Sequence, residues 1–137
     1  MSVDINETIL IVTGSELLPE EKDRPIAYLL KEKIDARGAT RHQRAIVVSD
    51  RWYMENELFH ICPVILVGGP GVNAAAAEIY KSIPVAWSDE ESAFVQMAEK
   101  TPVKASLWGL NQEGTLKAAD SFLQNGYLES FLSLSWK

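Results

Sequence analysis

The sequence predicts an α/β fold, and two of its features carry that prediction. Short β-branched runs alternate with amphipathic segments from one end of the chain to the other, which is the pattern of βαβ units around a parallel sheet. The first three runs are also continuously apolar, as strands buried on both faces are. We therefore expect a three-layer αβα sandwich of the flavodoxin-like (Rossmann-like) class, with a parallel sheet of about five strands in the order 2-1-3-4-5.

A single domain covering residues 1–137 is expected. The chain has 137 residues, 47% of them hydrophobic, which is enough to build one buried core. The predicted strands are Thr8–Thr13, Ala45–Ser49, Val64–Val67, Pro84–Trp87 and Lys104–Trp108.

Five helices are predicted, each after one strand and most with a capping residue or a stop signal. They are a helix with an apolar stripe from Ile26 to Ile34 that stops at Gly38, a helix over residues 51–60, a helix capped by Asn73, a helix from Ser88–Asp89 through Lys100, and a helix from Asn111 to Asn125–Gly126. The acidic cluster Asp89, Glu90 and Glu91 fits the fourth of these, because carboxylates at a helix start favour the helix dipole.

The last residues, 127–137, are apolar for a chain end, and two interpretations of them stay open. They cover the core of the domain, or they form an edge strand that pairs with a second subunit. The first interpretation is preferred, and the alternation of Leu132, Leu134 and Trp136 with serines is the observation that keeps the second open. The second interpretation predicts a homodimer.

Charge and composition exclude several classes of partner. The net charge of −6 and the absence of clustered Lys and Arg argue against nucleic-acid binding. No apolar stretch is long enough to cross a bilayer or to form the apolar core of a signal peptide. The single cysteine, Cys62, cannot form an internal disulfide, which favours a reducing compartment. We expect a soluble, cytoplasmic protein with no membrane or nucleic-acid partner.

The stretch VILVGGPGVNAAAAE, residues 64–78, predicts a strand, a glycine turn and a helix start. Free N–H groups and the positive end of the dipole favour an anion at such a place. Neither phosphate-binding fingerprint is present, however, and Pro70 removes one N–H group. The other interpretation is a tight turn capped by Asn73.

A small-molecule site is predicted where the carboxyl ends of the strands meet, since ligands of open α/β sheets bind there. Its candidate residues are Thr13, Gly14, Ser15, Glu16, Gly68, Gly69, Gly71, Asn73 and Asn111. The acidic loop GSELLPEEKDRP beside them, with Glu16, Glu20, Glu21 and Asp23 against Lys22 and Arg24, is a poor lining for phosphate.

No set of residues predicts catalysis, a metal or a cofactor. His42, His60 and Cys62 lack the spacing of a metal site, and a buried thiol is the favoured interpretation of Cys62.

Aromatic residues near strand ends have two interpretations. Trp52 and Tyr53, beside Asp50–Arg51, either stack on a planar ligand or belong to the core. Trp87 and Trp108, at the ends of two strands predicted to be adjacent, either flank a pocket or fill the space between sheet and helices.

Two stretches of the C-terminal half resemble a pairing found in archaeal S-layer proteins and related extracellular modules. There, a GGP-x-V-N turn after one strand is followed by a second strand, a glycine, an acidic residue, a threonine and a helix rich in alanine and leucine. The matching residues are Gly68, Gly69, Pro70, Val72 and Asn73, then Gly109, Glu113, Thr115, Ala118, Ala119 and Leu123. The resemblance implies a non-catalytic module that works by packing and assembly.

A second resemblance is to molybdopterin-binding domains, in which a G-x-E-L-L stretch and a later GG-x-G turn frame the pterin site. The matching residues are Gly14, Glu16, Leu17, Leu18, Gly68, Gly69 and Gly71. Two hypotheses follow from the residues and the resemblances together. The favoured one is a non-catalytic binding or assembly module, with a second copy or another protein as partner; the alternative is a nucleotide-, flavin- or pterin-type small-molecule site.

Overall fold

The structure is a computed structural model that describes residues 5, 7–90 and 92–136. Of Pro19 and Glu20 it describes the backbone only. Glu91 and Lys137, which belong to two of the sequence predictions, lie outside the described residues.

Six strands form one mixed sheet in the order β2-β1-β3-β6-β5-β4. The strands are β1 Thr8–Thr13, β2 Arg44–Ser49, β3 Val64–Val67, β4 Val85–Asp89, β5 Ala93–Ala98 and β6 Lys104–Gly109. The α-helices are α1 Leu17–Lys22, α2 Arg24–Gly38, α3 Asp50–Glu55, α4 Ala74–Ile79, α5 Gln112–Gln124 and α6 Tyr127–Ser135.

The α/β class is confirmed, but the strand number and order differ from the prediction. The four strands β2, β1, β3 and β6 are parallel, as expected. Strand β5 then runs antiparallel to β6, and β4 antiparallel to β5. The sheet therefore has six strands rather than five, and the strand predicted to be last pairs directly with β3.

The difference has one cause, which is that the predicted helix from Ser88 to Lys100 is wrong. Residues 85–98 form the β4–β5 hairpin instead. Ala93, Val95 and Met97 are buried at alternate positions, which is the period of a strand rather than a helix. Of the acids predicted to start that helix, Asp89 is the last residue of β4, and Glu90 lies in the hairpin turn with a positive φ of 46°.

Helices cover both faces of the sheet, and successive residues of β1 show the division. Ile9 and Ile11 pack with α2, α5 and α6 in the larger core cluster. Leu10 and Val12 pack with α3 and α4 in the smaller one. Because neighbouring strand residues point to opposite faces, this alternation makes β1 fully buried.

The C-terminal tail is helix α6, which lies on the core. Leu128 and Phe131 are fully buried there, and Leu132 nearly so. The left-handed Gly126, with φ of 85°, separates α6 from α5. Residues 127–135 therefore form a helix that packs on the core rather than an edge strand. Helix α3 is also shorter than predicted, because a 3₁₀ turn over Glu57–Ile61 replaces its second half.

Candidate functional site

The main cavity lies where the carboxyl ends of β3 and β6 meet the junction of α1 and α2. Its volume is about 530 Å³, within the usual range of small-molecule sites. Its lining residues are Leu18, Lys22, Asp23, Gly69, Pro70, Gly71, Val72, Trp108, Gly109, Leu110, Asn111, Gln112 and Thr115. Most of that lining is apolar, and it contains one carboxylate.

Asp23 is the unusual residue of the cavity. It lines the cavity and is only 6% exposed. Its side chain does not cap α2, and within the described ranges no hydrogen bond or ion pair reaches its carboxylate. Burial raises the pKa of the Asp23 carboxyl above its ordinary value, because leaving water disfavours the charged form. A buried carboxylate without a partner is costly to keep.

The local sequence explains how Asp23 comes to be buried. It precedes Arg24 and Pro25 at the start of α2, and proline favours the first turn of a helix. It also lies three residues before Ile26, which is buried in the core, so it belongs to the buried stripe of that helix. A charge on such a stripe is the signal by which the sequence could have marked this residue.

Gly68 allows the Asp23 carboxylate to lie against the glycine turn. Its φ is 98°, and a Cβ at this position would come within 2.7 Å of Asp23 Oδ2. Any other residue would be strained there and would displace the carboxylate.

Trp108 forms a fixed aromatic wall of the cavity. Its indole Nε1 donates a 2.7 Å hydrogen bond to Gln96 Oε1, and Phe94 stacks on its ring with centroids 4.5 Å apart. Gln96 is held in turn, because its Nε2 donates to the carbonyls of Tyr80 and Ile83. The ring orientation is therefore set before any ligand binds.

The start of α5 closes the opposite side of the cavity. Asn111 caps the helix, its Oδ1 accepting a 2.9 Å bond from the Gly114 N–H. Gly109 and Gly114 are in such close backbone contact that a Cβ on either would overlap the other. This contact holds Thr115, which is buried, against the cavity.

The beginning of α4, where the sequence suggested an anion, is already filled by Asn73. Its Nδ2 donates to the carbonyls of Val12 and Val67. Its Oδ1 accepts from the N–H groups of Ala75 and Ala76. All four hydrogen-bonding positions of this amide are thus used, so Asn73 joins β1, β3 and α4 rather than facing a ligand.

Asp50 occupies the remaining place at the start of α4. Its Oδ2 accepts a 2.8 Å bond from the Ala74 N–H. Its Oδ1 accepts from the Arg51 N–H and from the Ser15 hydroxyl. The protein thereby supplies its own carboxylate to the positive end of α4. The capped-turn interpretation therefore describes this region better than the anion site.

The structure divides the nine predicted ligand residues into two groups. Gly69, Gly71 and Asn111 line the main cavity. The other six do not line it: Thr13, Gly14, Ser15, Glu16, Gly68 and Asn73. Gly68 borders the cavity through Asp23, whereas Ser15 and Asn73 serve the internal network just described. The Thr13 hydroxyl is buried and finds no hydrogen-bond partner within the described part of the chain.

Sequence analysis missed the residues that give the cavity its character. Asp23 was predicted only as one of the acids in a loop beside the site, and its burial was not anticipated. Trp108 was considered for a pocket together with Trp87, but β5 separates their strands. Trp87 packs against the larger core instead. Thr115 and Leu18 entered only through the resemblances.

The other aromatic and sulfur candidates are core residues. Tyr53 is buried and stacks on His60, with ring centroids 4.3 Å apart, and burial raises its pKa to about 12. Trp52 contacts Phe59. Cys62 is fully buried, and burial raises the pKa of its thiol, which makes it unreactive.

Among the described residues, neither a metal centre nor a membrane-spanning helix indicates what this site does, nor does a known relative. Within residues 5, 7–90 and 92–136, no group of three or more His, Cys, Asp or Glu side chains could hold a metal ion. No helix among them is both long and apolar enough to cross a lipid bilayer. No family model matches the chain, and no curated protein matches its sequence. The geometry of the cavity is therefore the basis for a functional proposal.

Proposed function

We propose that this protein is a small-molecule-binding domain whose ligand occupies the cavity between β3, β6 and the α1–α2 junction. The observation that carries the proposal is the combination of a cavity of about 530 Å³, an aromatic wall fixed in advance and one buried carboxylate without a partner. Binding sites of small molecules typically combine an apolar lining with a few placed polar groups.

The apolar residues at the mouth of the cavity support the same proposal. Leu18 is 61% exposed and Leu110 is 74% exposed, and Val72 beside them is also exposed. All three line the cavity. Exposed apolar side chains grouped around one cavity indicate a surface that a partner covers. A ligand with an apolar, planar body would cover these residues and contact Trp108.

The cavity favours a ligand without a phosphate at its centre. The N–H groups of Ala74, Ala75 and Ala76 are already bonded to Asp50 and Asn73. Within the cavity itself, the Asp23 carboxylate would repel an anion. The proposal stops at binding, because catalysis would require a nucleophile or base placed against a reacting atom.

Thermal unfolding in the presence of a compound panel tests this function. The panel contains nucleosides, riboflavin and pterins. At about one hundred times its dissociation constant, a bound compound raises the free energy of unfolding by about 2.7 kcal/mol. We expect at least one compound to raise the melting temperature of the natural protein.

A variant that blocks the cavity supplies the control. A Cβ on Gly71 would meet nothing within 4 Å, so Gly71→Phe places a ring at the cavity without a clash. Glu32→Phe adds the same ring to an exposed position of α2. We expect Gly71→Phe, but not Glu32→Phe, to abolish the stabilisation. The proposal would be overturned if no compound stabilised the natural protein. It would also be overturned if the compound stabilised Gly71→Phe as much as the natural protein.

A homodimer remains a second candidate, and the free edge of β4 is the observation that favours it. β4 ends the sheet, and Val85 on it is 54% exposed. An edge strand of this kind pairs with a second copy. Sedimentation velocity tests the idea: a dimer that Val85→Lys converts to monomer supports it, and a monomer at high micromolar concentration excludes it.

A further inference from the structure

We infer that the ligand of this cavity is a planar heterocycle that presents two adjacent N–H donors to the carboxylate of Asp23. The inference rests on the proposed function and narrows it to one chemical class. It begins from Asp23, which lines the cavity and is more than nine-tenths buried. Its carboxylate receives no hydrogen bond from the described residues.

The chemistry of a carboxylate decides what Asp23 can recognise. An ionised carboxylate only accepts hydrogen bonds, through two oxygens. It binds most strongly to two parallel N–H donors held at a fixed spacing. The described part of the protein donates no hydrogen bond to this carboxylate, so the two N–H donors would come from the ligand. A ligand lacking these donors would leave the buried charge unpaired.

The rest of the lining selects a flat, uncharged group over a flexible cation. Trp108 offers an aromatic wall whose orientation Gln96 and Phe94 fix, and flat ring systems gain most from such a wall. Lys22 is the other ionisable residue of the lining. Its positive charge disfavours an ammonium group beside Asp23 but not a neutral amino-heterocycle.

Three nucleosides of nearly equal shape test this inference by titration calorimetry. Guanosine presents a ring N–H and an amino group side by side, inosine lacks the amino group, and xanthosine carries an oxygen in its place. We expect the natural protein to bind guanosine at least about tenfold more tightly than inosine, and xanthosine most weakly. Loss of one partner of a buried hydrogen bond has effects of this size.

The variant Asp23→Asn converts one acceptor into a donor at almost constant shape. It should therefore reverse the preference, so that xanthosine binds about tenfold more tightly than guanosine. Asp120→Asn makes the same chemical change at an exposed position of α5, outside the cavity lining. We expect that variant to keep the order of the natural protein.

The outcomes separate this inference from the function on which it rests. Equal binding of the three nucleosides by the natural protein, or an unchanged preference in Asp23→Asn, would overturn the inference. Binding of a panel compound without paired donors, abolished by Gly71→Phe, would overturn it while leaving the binding function intact. Failure of every panel compound would overturn both.

Discussion

Two buried aspartates lie at the carboxyl end of the sheet, and the protein treats them in opposite ways. Asp23 and Asp50 are each 6% exposed. Asp50 accepts hydrogen bonds from Ser15, Arg51 and Ala74. The Asp23 carboxylate accepts none from the described residues, and burial raises its pKa. The two residues are therefore of the same type and equally buried, but they differ in the hydrogen-bond donors that reach their carboxylates.

The comparison distinguishes a carboxylate whose hydrogen-bond donors lie within the protein from one that receives no donor from the described residues. The hydrogen bonds of Asp50 connect the start of α3 to the loop after β1 and to the start of α4, so its charge is already compensated. The charge of Asp23 is left for something outside the described chain to compensate. Unsatisfied buried polar groups reduce stability, so the unpaired Asp23 carboxylate is the observation behind the binding site that we propose.

The largest expected effect on the free energy of unfolding belongs to Asn73, whose amide is fully hydrogen-bonded within the protein. Asn73→Ala removes four hydrogen bonds in a buried setting, and we expect it to lower the free energy of unfolding by about 4 kcal/mol. Denaturant unfolding measures the change. Asn111→Ala, which removes one part-buried capping bond, should cost only about 1 kcal/mol. Similar values for the two variants would mean that Asn73 is not the junction that we describe.

The second effect is a change in the free energy of unfolding whose sign differs between the two aspartates. Asp50→Asn removes a charge and one acceptor from the start of α4, and should lower the free energy of unfolding by about 2 kcal/mol. Asp23→Asn removes a buried charge without a partner, and should raise it by about 1 kcal/mol in the absence of ligand. The same unfolding experiment measures both variants. A loss of stability in Asp23→Asn equal to that in Asp50→Asn would erase the distinction.

The smallest effect is a dependence on pH that belongs to Asp23. Because burial raises its pKa, the folded protein retains the Asp23 proton in a pH range where the unfolded chain has lost it. Its contribution to stability therefore falls as the pH rises from the pKa of an exposed aspartate through the raised value. The stability that Asp23→Asn gains over the natural protein should grow as the pH rises through that range and then level off.

Thermal unfolding of both proteins across acidic and neutral pH measures this advantage. Among the described residues, the only other ionisable side chain of the cavity lining is that of Lys22. An advantage that is constant with pH would contradict the raised pKa, and Asp120→Asn provides the baseline for a surface carboxyl.

Local signals in the sequence were sufficient for much of the fold. β1 and β3 have the predicted limits, because fully apolar β-branched runs specify buried strands on their own. Asn73 and Asn111 cap their helices as predicted, because capping depends on one side chain and the next turn. The β4–β5 hairpin was missed, since polar and apolar residues at positions 88–100 fit a short helix until Phe94 and Gln96 are known to pack against Trp108.

The candidate site was predictable only in outline. Of the residues selected by the rule that ligands bind beyond the carboxyl ends of strands, Gly69, Gly71 and Asn111 line the cavity. It could not distinguish the carboxylate that receives three hydrogen bonds from the one that receives none. That distinction depends on which groups from distant segments, such as Ser15 and Ala74, come to lie beside Asp50, and spacing along the chain does not contain it.

The most direct test is an NMR titration of ¹⁵N-labelled protein with guanosine and, separately, with inorganic phosphate. The account predicts that guanosine shifts the amide signals of Gly69, Gly71 and Thr115, which border the cavity. It also predicts that phosphate leaves those of Ala74–Ala76 unchanged, since their N–H groups are bonded within the protein. Shifts at Ala74–Ala76 with phosphate, together with none at the cavity with guanosine, would contradict it.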